Sequence, residues 1–228
     1  MISQIAFLIL LGIMVFLIQK RIRFISSCIQ LGRDVDISDQ KPERWKNMFL
    51  MALGQKKMFD RPIVGVMHLI IYAGFFLVNV EVLEIVLDGL LGTHRIFASV
   101  LGGFYPVMIN FFEILASGVI LVCVVFLVRR NLLPIARFRS PELNSFPRLD
   151  ANLILIFEIL LMKAFLGMNS AENILHSRGV EHYELDASYA ISSMNTWLID
   201  GFSTPTLILL ERSLWWIHIT GILAFALY

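Results

Sequence analysis

Cysteine is scarce in this chain: Cys28 and Cys123 stand far apart, and no CxxC pair occurs. The chain therefore lacks the thiolates to ligate a four-cysteine iron-sulfur cluster or a structural zinc by itself. Both cysteines fall on or near the side read below as reducing, so no disulfide is expected. Charge is scarce too. Only 16% of residues are charged, and the net charge of +1 comes from charges segregated along the chain, with no basic face for nucleic acid. There is no P-loop, no GxGxxG and no HExxH, and GLLG and LGG are too short to cradle a phosphate. Internal repeats and low-complexity tracts are also missing. These absences leave little room for soluble-enzyme chemistry.

What the chain has in abundance is apolar length. It is 228 residues long and 57% hydrophobic, with 18 Phe and a mean hydropathy of +0.75, the composition of an integral membrane protein. A helix must cover ~30 Å of hydrocarbon at ~1.5 Å per residue. Five runs answer to that, predicting transmembrane helices over 2–19, 62–87, 105–128, 151–174 and 213–228 and beyond, in one all-α, five-helix membrane domain. Asp60 and Asp150 are candidate caps, and Pro62 suits a first helical turn. The last run would span only ~22 Å if it began near Ser213, so the chain is expected to end inside a helix, as the N-terminal piece of something longer.

Orientation follows from Lys and Arg. Fifteen lie in the connections 20–61 and 129–150, among them Arg137 and Arg139, against Arg95, Arg178 and Arg212 in the opposite ones. The positive-inside bias puts the N-terminus outside and sends the C-terminus toward the cytoplasm. The first helix has no basic n-region and no small-residue cleavage site, so it reads as a retained anchor. Within 20–61, RWKNMFLMALGQKKMF could form an interfacial helix over 42–58, or else a solvated basic connection. The outer connection from His176 to Arg212 is long and acidic (Glu181, Glu184, Asp186, Asp200, Glu211), and such loops usually pack over something.

Two histidines, His68 and His218, sit inside the apolar runs, where an ionisable ring usually has something to bind. Counted from Arg61 and Arg212, His68 lies about 10 Å in from one face and His218 about 9 Å in from the other. That leaves them about 11 Å apart in depth across ~30 Å of hydrocarbon, poorly placed to share one iron. His94 and His176 lie at the outer level and are candidate partners for His218; a partner for His68 would fall past Tyr228. Gly65 is three residues before His68 and Gly221 three after His218, so a flat porphyrin edge could approach each helix, although glycine also serves plain helix packing. Imidazole suits iron and His/His sites suit electron transfer, which favours haem over zinc; a bland interhelical hydrogen bond is the alternative for each ring. Asn79, Glu81, Glu84 and Asp88 cluster toward the outer end of the second helix and could carry protons or simply be neutral or solvated carboxyls. Glu113, Glu158 and Lys163 read as interhelical pairs, with haem propionate contact the sharper reading for Lys163; Met67, Met108 and Met162 read as packing.

The stretches GQKKMFDRPIVGVMHLIIYAGFFLVNVEVLEIVLDGLLGTHRIF and RSLWWIHITGILAFALY resemble the N-terminal membrane part of heterodisulfide-reductase-like iron-sulfur oxidoreductases. That part is similar in turn to the cytochrome b (gamma) subunit of respiratory nitrate reductase. The resemblance implies five helices in the bacterial cytoplasmic membrane and one or two b-type haems whose iron is bound by His68 and His218. It also implies electron exchange between membrane quinone and a cytosolic partner of the respiratory chain. That partner would be a following [4Fe-4S] domain or an electron-transfer flavoprotein-like protein. The chain departs from the nitrate reductase pattern where the second helix would hold another histidine, since Val78 and Asn79 stand there. The competing expectation is a haem-free membrane anchor or small transporter whose histidines bridge helices, although transporters more typically show inverted repeats and broken helices.

Overall fold

The computed structural model describes residues 2–33, 35–36, 38–135, 138, 140–143, 145–183 and 189–228. Arg137, Arg139, Glu184 and Asp186, counted above, lie outside the described residues. Among the described residues every regular element is helical and five helices are long and apolar enough to cross a bilayer, the make-up of a multi-pass membrane protein. In chain order the helices are α1 (Ile2–Gln30), α2 (Lys41–Met48), α3 (Pro62–Leu91), α4 (Ile96–Leu101), α5 (Phe104–Asn131), α6 (Phe146–Ser177) and α7 (Thr204–Leu227).

Each long helix outruns its apolar core, and the reasons are local. α1 continues past Lys20, Arg21 and Arg23 because these are good helix formers and no glycine or proline interrupts them before Gly32. α3 begins with Pro62 in its first turn, and Arg61 rather than Asp60 holds the cap position. It ends at Gly92, whose φ of +73° lets its N–H reach the Asp88 carbonyl at 2.8 Å. α6 starts at Phe146 with Pro147 in its first turn, so Asp150 lies inside the helix and does not cap it.

The largest difference from the sequence expectation is α7, which starts at Thr204 and not near Ser213. The Ser203 hydroxyl accepts the Thr206 N–H, and Pro205 sits in the first turn. Glu211 and Arg212 do not end the apolar run because the Glu211 carboxylate is buried and satisfied. Arg212 reaches it at 2.5 and 3.0 Å, and the Tyr183 hydroxyl donates at 2.9 Å. With 24 residues α7 spans about 36 Å, enough for a full crossing.

α6 is the hub, packing against α5 on one side and α7 on the other, while α3 packs on α5. The α5–α6 pair is antiparallel and tied by polar contacts at both ends. Asn131 and Asn152 exchange amide hydrogen bonds of 3.0 and 3.2 Å at one end, and Asn169 donates to Glu113 at 3.0 Å toward the other. Hydrogen bonds of this kind hold membrane helices where the hydrophobic effect cannot. α1 leans on α3 and α7 and buries only Phe7 and Met14. Phe7 fills the place where Gly89 has no side chain: a Cβ there would come within 2.6 Å of the ring, which also meets Trp215 and Trp216.

The segment expected as one interfacial helix over 42–58 is broken. α2 passes into a wide helical turn at Phe49–Leu53, and a tight turn follows at Lys56–Asp60. Trp45 stacks on Phe49, while Met48, Met51 and Leu53 stay exposed. The Tyr72 hydroxyl pins the Leu53 carbonyl to α3 at 2.8 Å.

Candidate functional site

His218 is wholly buried on α7, toward α6. Its Nδ1 lies 3.0 Å from the Leu161 carbonyl, and the Phe165 ring sits 6.0 Å away. A carbonyl only accepts, so Nδ1 carries the hydrogen and a neutral ring presents its lone pair at Nε2. That Nε2 is buried and has no partner among the described residues. One ring nitrogen fixed on a backbone carbonyl and the other left free is the arrangement that orients a metal-ligating imidazole.

One turn further along α7, Ile222 and Phe225 face a slot of about 250 Å³ between α3, α5, α6 and α7. Its walls, including Gly74, Val78, Val119 and the same Leu161, are apolar apart from Asn79 and Glu158. Asn79 turns its amide onto the Phe75 carbonyl of its own helix. Dry walls with few polar groups are the usual lining of a site for a flat, apolar cofactor or substrate.

A second site, dense in polar groups, occupies the end of the bundle where α3 turns into α4. Arg95, only 6% exposed, takes a left-handed backbone (φ 54°) and drives its guanidinium inward. There Nη1 meets Glu81 at 3.0 Å, and Nη2 meets Glu172 at 2.8 Å and Asn169 at 2.7 Å. Burial alone would lower the pKa of Arg95, but the Glu172 carboxylate leads the groups that hold it well above the ordinary value. Glu84 accepts from the Tyr105 hydroxyl and the Phe97 N–H, both at 2.8 Å. Glu113 gathers Asn169, the Ser192 hydroxyl and the N–H groups of Ile191 and Ser192. Asp88 caps the turn by accepting from Thr93 and from the N–H groups of Arg95 and Ile96.

Tyr183, Tyr189 and Ser192, from the long connection before α7, are buried and reach Glu211, Arg95 and Glu113 respectively. Burial raises the Tyr189 phenol well above its usual range despite Arg95 nearby. His94 lies at the edge, with Nε2 3.4 Å from Glu172 and its ring 4.8 Å from that of His182.

A curated relative matches nearly the whole chain. It is the probable iron-sulfur-binding oxidoreductase FadF of Bacillus subtilis (strain 168), 26% identical over 215 residues. The match covers 94% of this chain and 28% of FadF, so the chain spans little more than a quarter of that protein's length. No family model matches the chain, and no solved structure does.

The histidines named from sequence separate into different places. His68 is on an exposed face of α3, while His218 is buried. The depth estimate of about 11 Å between them counted His218 from Arg212 as the membrane face, and Arg212 lies well inside α7. His94 faces Glu172 and His182, and His176 bonds the Tyr183 carbonyl through Nδ1 at 2.9 Å. The space beside both glycines is taken by protein. A Cβ on Gly65 would meet the Met58 carbonyl at 2.9 Å, and one on Gly221 would meet Leu161 at 2.5 Å. Lys163 is exposed on α6 and lines a different cavity, beside Ser117 and Ser170. Among the described residues no cluster of three or more His, Cys, Asp or Glu is arranged for a metal ion. Sequence reasoning missed Arg95, Glu172, Tyr183 and Tyr189. The available signal was the pair Glu81 and Glu84 in an apolar run, which needs a cation, with Arg95 the one basic residue in the connection that follows.

Proposed function

We propose that this chain is the membrane-spanning electron-transfer module of an iron-sulfur oxidoreductase, holding b-type haem on His218 and exchanging electrons with membrane quinone. The observation that carries the reading is the His218 ring, with Nδ1 committed to Leu161 and a buried Nε2 free to ligate. The similarity to FadF, a probable iron-sulfur-binding oxidoreductase, supports the oxidoreductase setting; in this reading a [4Fe-4S] domain or flavoprotein-like partner meets the basic side. The lysine and arginine bias supports a cytoplasmic setting for that side, and the membrane in this reading is the inner membrane of a bacterial cell.

His218 would supply one ligating nitrogen, Leu161 would hold its ring in register, and the apolar slot that Leu161 lines with Ile222 and Phe225 would exclude water. Haem there would supply one-electron chemistry. His68, on the exposed face of α3, would take an iron only together with a ligand from another helix laid against that face. The hydrogen bond to Leu161 also favours a second reading, in which His218 only bridges α6 and α7 in a haem-free anchor. The full-length protein, purified from membranes and reduced with a short-chain quinol analogue, separates the two. The electron-transfer reading expects a b-type band to appear on reduction, and no such band in folded protein, even with dithionite, would overturn it.

A further inference from the structure

Glu81, Glu84, Glu113 and Glu172 are each at most 1% exposed, and one guanidinium, that of Arg95, stands among them. An uncompensated charge in a water-excluded site is strongly unfavourable, so neutral donors or protons must balance the excess. The donors are unevenly shared. Glu113 has an amide, a hydroxyl and two backbone N–H groups, and Glu84 has a hydroxyl and a backbone N–H. Glu172 takes Nε and Nη2 of Arg95. Glu81 alone keeps an oxygen, Oε2, that is fully buried and without a partner among the described residues.

A route to solvent reaches the neighbouring groups Glu84, Arg95 and Glu172, and the Arg95 guanidinium joins them to Glu81. A void of about 10 Å³, room for about one water, is walled by Glu84, Asp88, His94, Arg95, Glu172 and Glu211. Outside it lies an open pocket of about 210 Å³ lined by Asp88, Thr93, His94, His182 and Arg212. His94 is a wall of both, with Nε2 pointing to Glu172 at 3.4 Å. The groups facing the cluster from the other elements are Tyr105 on α5, Tyr183 and Tyr189 in the long connection, and Glu211 with Arg212 on α7. Two imidazoles, His94 and His182, stand among the facing groups, their rings 4.8 Å apart.

We propose that the Arg95 cluster is a proton-exchange site, in which Glu81 holds a proton and His94 is the port through which it exchanges with the open pocket. The exchange moves one proton from the Glu81 carboxyl to water and back, leaving a carboxylate balanced by Arg95 in the interval. Glu211, Trp215 and His218 lie on one face of α7 at i, i+4 and i+7, so the site ends one turn from the proposed haem ligand. The proposal itself does not rest on that haem.

Infrared spectroscopy of the purified full-length protein tests it without any redox partner, by following the C=O stretch of a protonated carboxyl on transfer from H₂O to D₂O. The expected result is a band in the wild type that shifts in D₂O, disappears in Glu81→Gln and persists in Glu84→Gln. In His94→Phe the band should remain but exchange several-fold more slowly. Absence of the band, its survival in Glu81→Gln, its loss in Glu84→Gln, or unchanged exchange in His94→Phe would each overturn the proposal. Should Glu81→Gln fail to fold, the Glu84→Gln and His94→Phe results still decide it.

Discussion

The imidazole of His218 on α7 and the carbonyl of Leu161 on α6 meet at 3.0 Å, and the opposite ring nitrogen is buried with no partner among the described residues. An unsatisfied buried polar atom costs about 1–3 kcal/mol. The Leu161 carbonyl, for its part, lies inside a continuous α-helix and keeps its helical bond without the histidine. His218→Leu should therefore leave the haem-free protein within about 1 kcal/mol of wild type or slightly stabilise it, read by denaturant titration in detergent micelles. A loss well beyond that would make His218 a structural bridge first.

Arg95 behaves in the opposite way, because every atom of its fork is used. Arg95→Met strands the Glu172 carboxylate without its cation and Glu81 without its donor, and should cost about 3–5 kcal/mol. Arg95→Lys should rescue only part of this, since one ammonium cannot reach both carboxylates and Asn169 as the fork does. Unfolding followed by tryptophan fluorescence gives both numbers; full rescue by lysine would show that the guanidinium geometry is not needed.

α1 is attached chiefly through Phe7, which occupies the space beside Gly89. Phe7→Ala should destabilise the docking of α1 by about 3–5 kcal/mol, and Gly89→Ala by about 1–3 kcal/mol through overpacking. In the double variant the second penalty should vanish, because the added methyl enters space the ring has left. Additive effects would mean that Gly89 is needed for another reason.

The acidic end should also respond to pH through His182. Burial, then the neighbouring His94 and Arg212, lower its pKa below the ordinary 6.5. The unfolded chain thus binds a proton more readily than the folded one. The stability contribution is complete above about pH 6.5 and is lost as pH falls through the lower folded value. The ring is partly exposed, so the effect is screened and should stay below about 1 kcal/mol. Thermal unfolding at pH 7.5 and pH 5.5, compared with His182→Asn, measures it; an equal pH dependence in the variant would assign the effect elsewhere.

The five-helix architecture was legible because hydrocarbon thickness forces apolar runs of a set length, and Pro62 marked the start of α3 in both sequence and structure. The start of α7 was not, although Ser203 and Pro205 signalled it. Glu211 and Arg212 looked like the edge of the membrane segment, and only the fold shows that Tyr183, 28 residues earlier, satisfies that carboxylate. The same limit hid the Arg95 cluster, whose partners come from residues 77 and 94 positions away in the chain, Glu172 and Tyr189. Gly65 and Gly221 are a different case, since spacing alone does not say that Met58 and Leu161 stand beside them.

The most direct test of the account is the haem content of the full-length protein purified from membranes, measured per chain by pyridine haemochrome for the wild type and for His218→Leu. The account predicts b-type haem in the wild type and loss of at least one haem per chain in the variant, with its helical content retained. Equal haem in the two proteins, or none in the wild type, would contradict it.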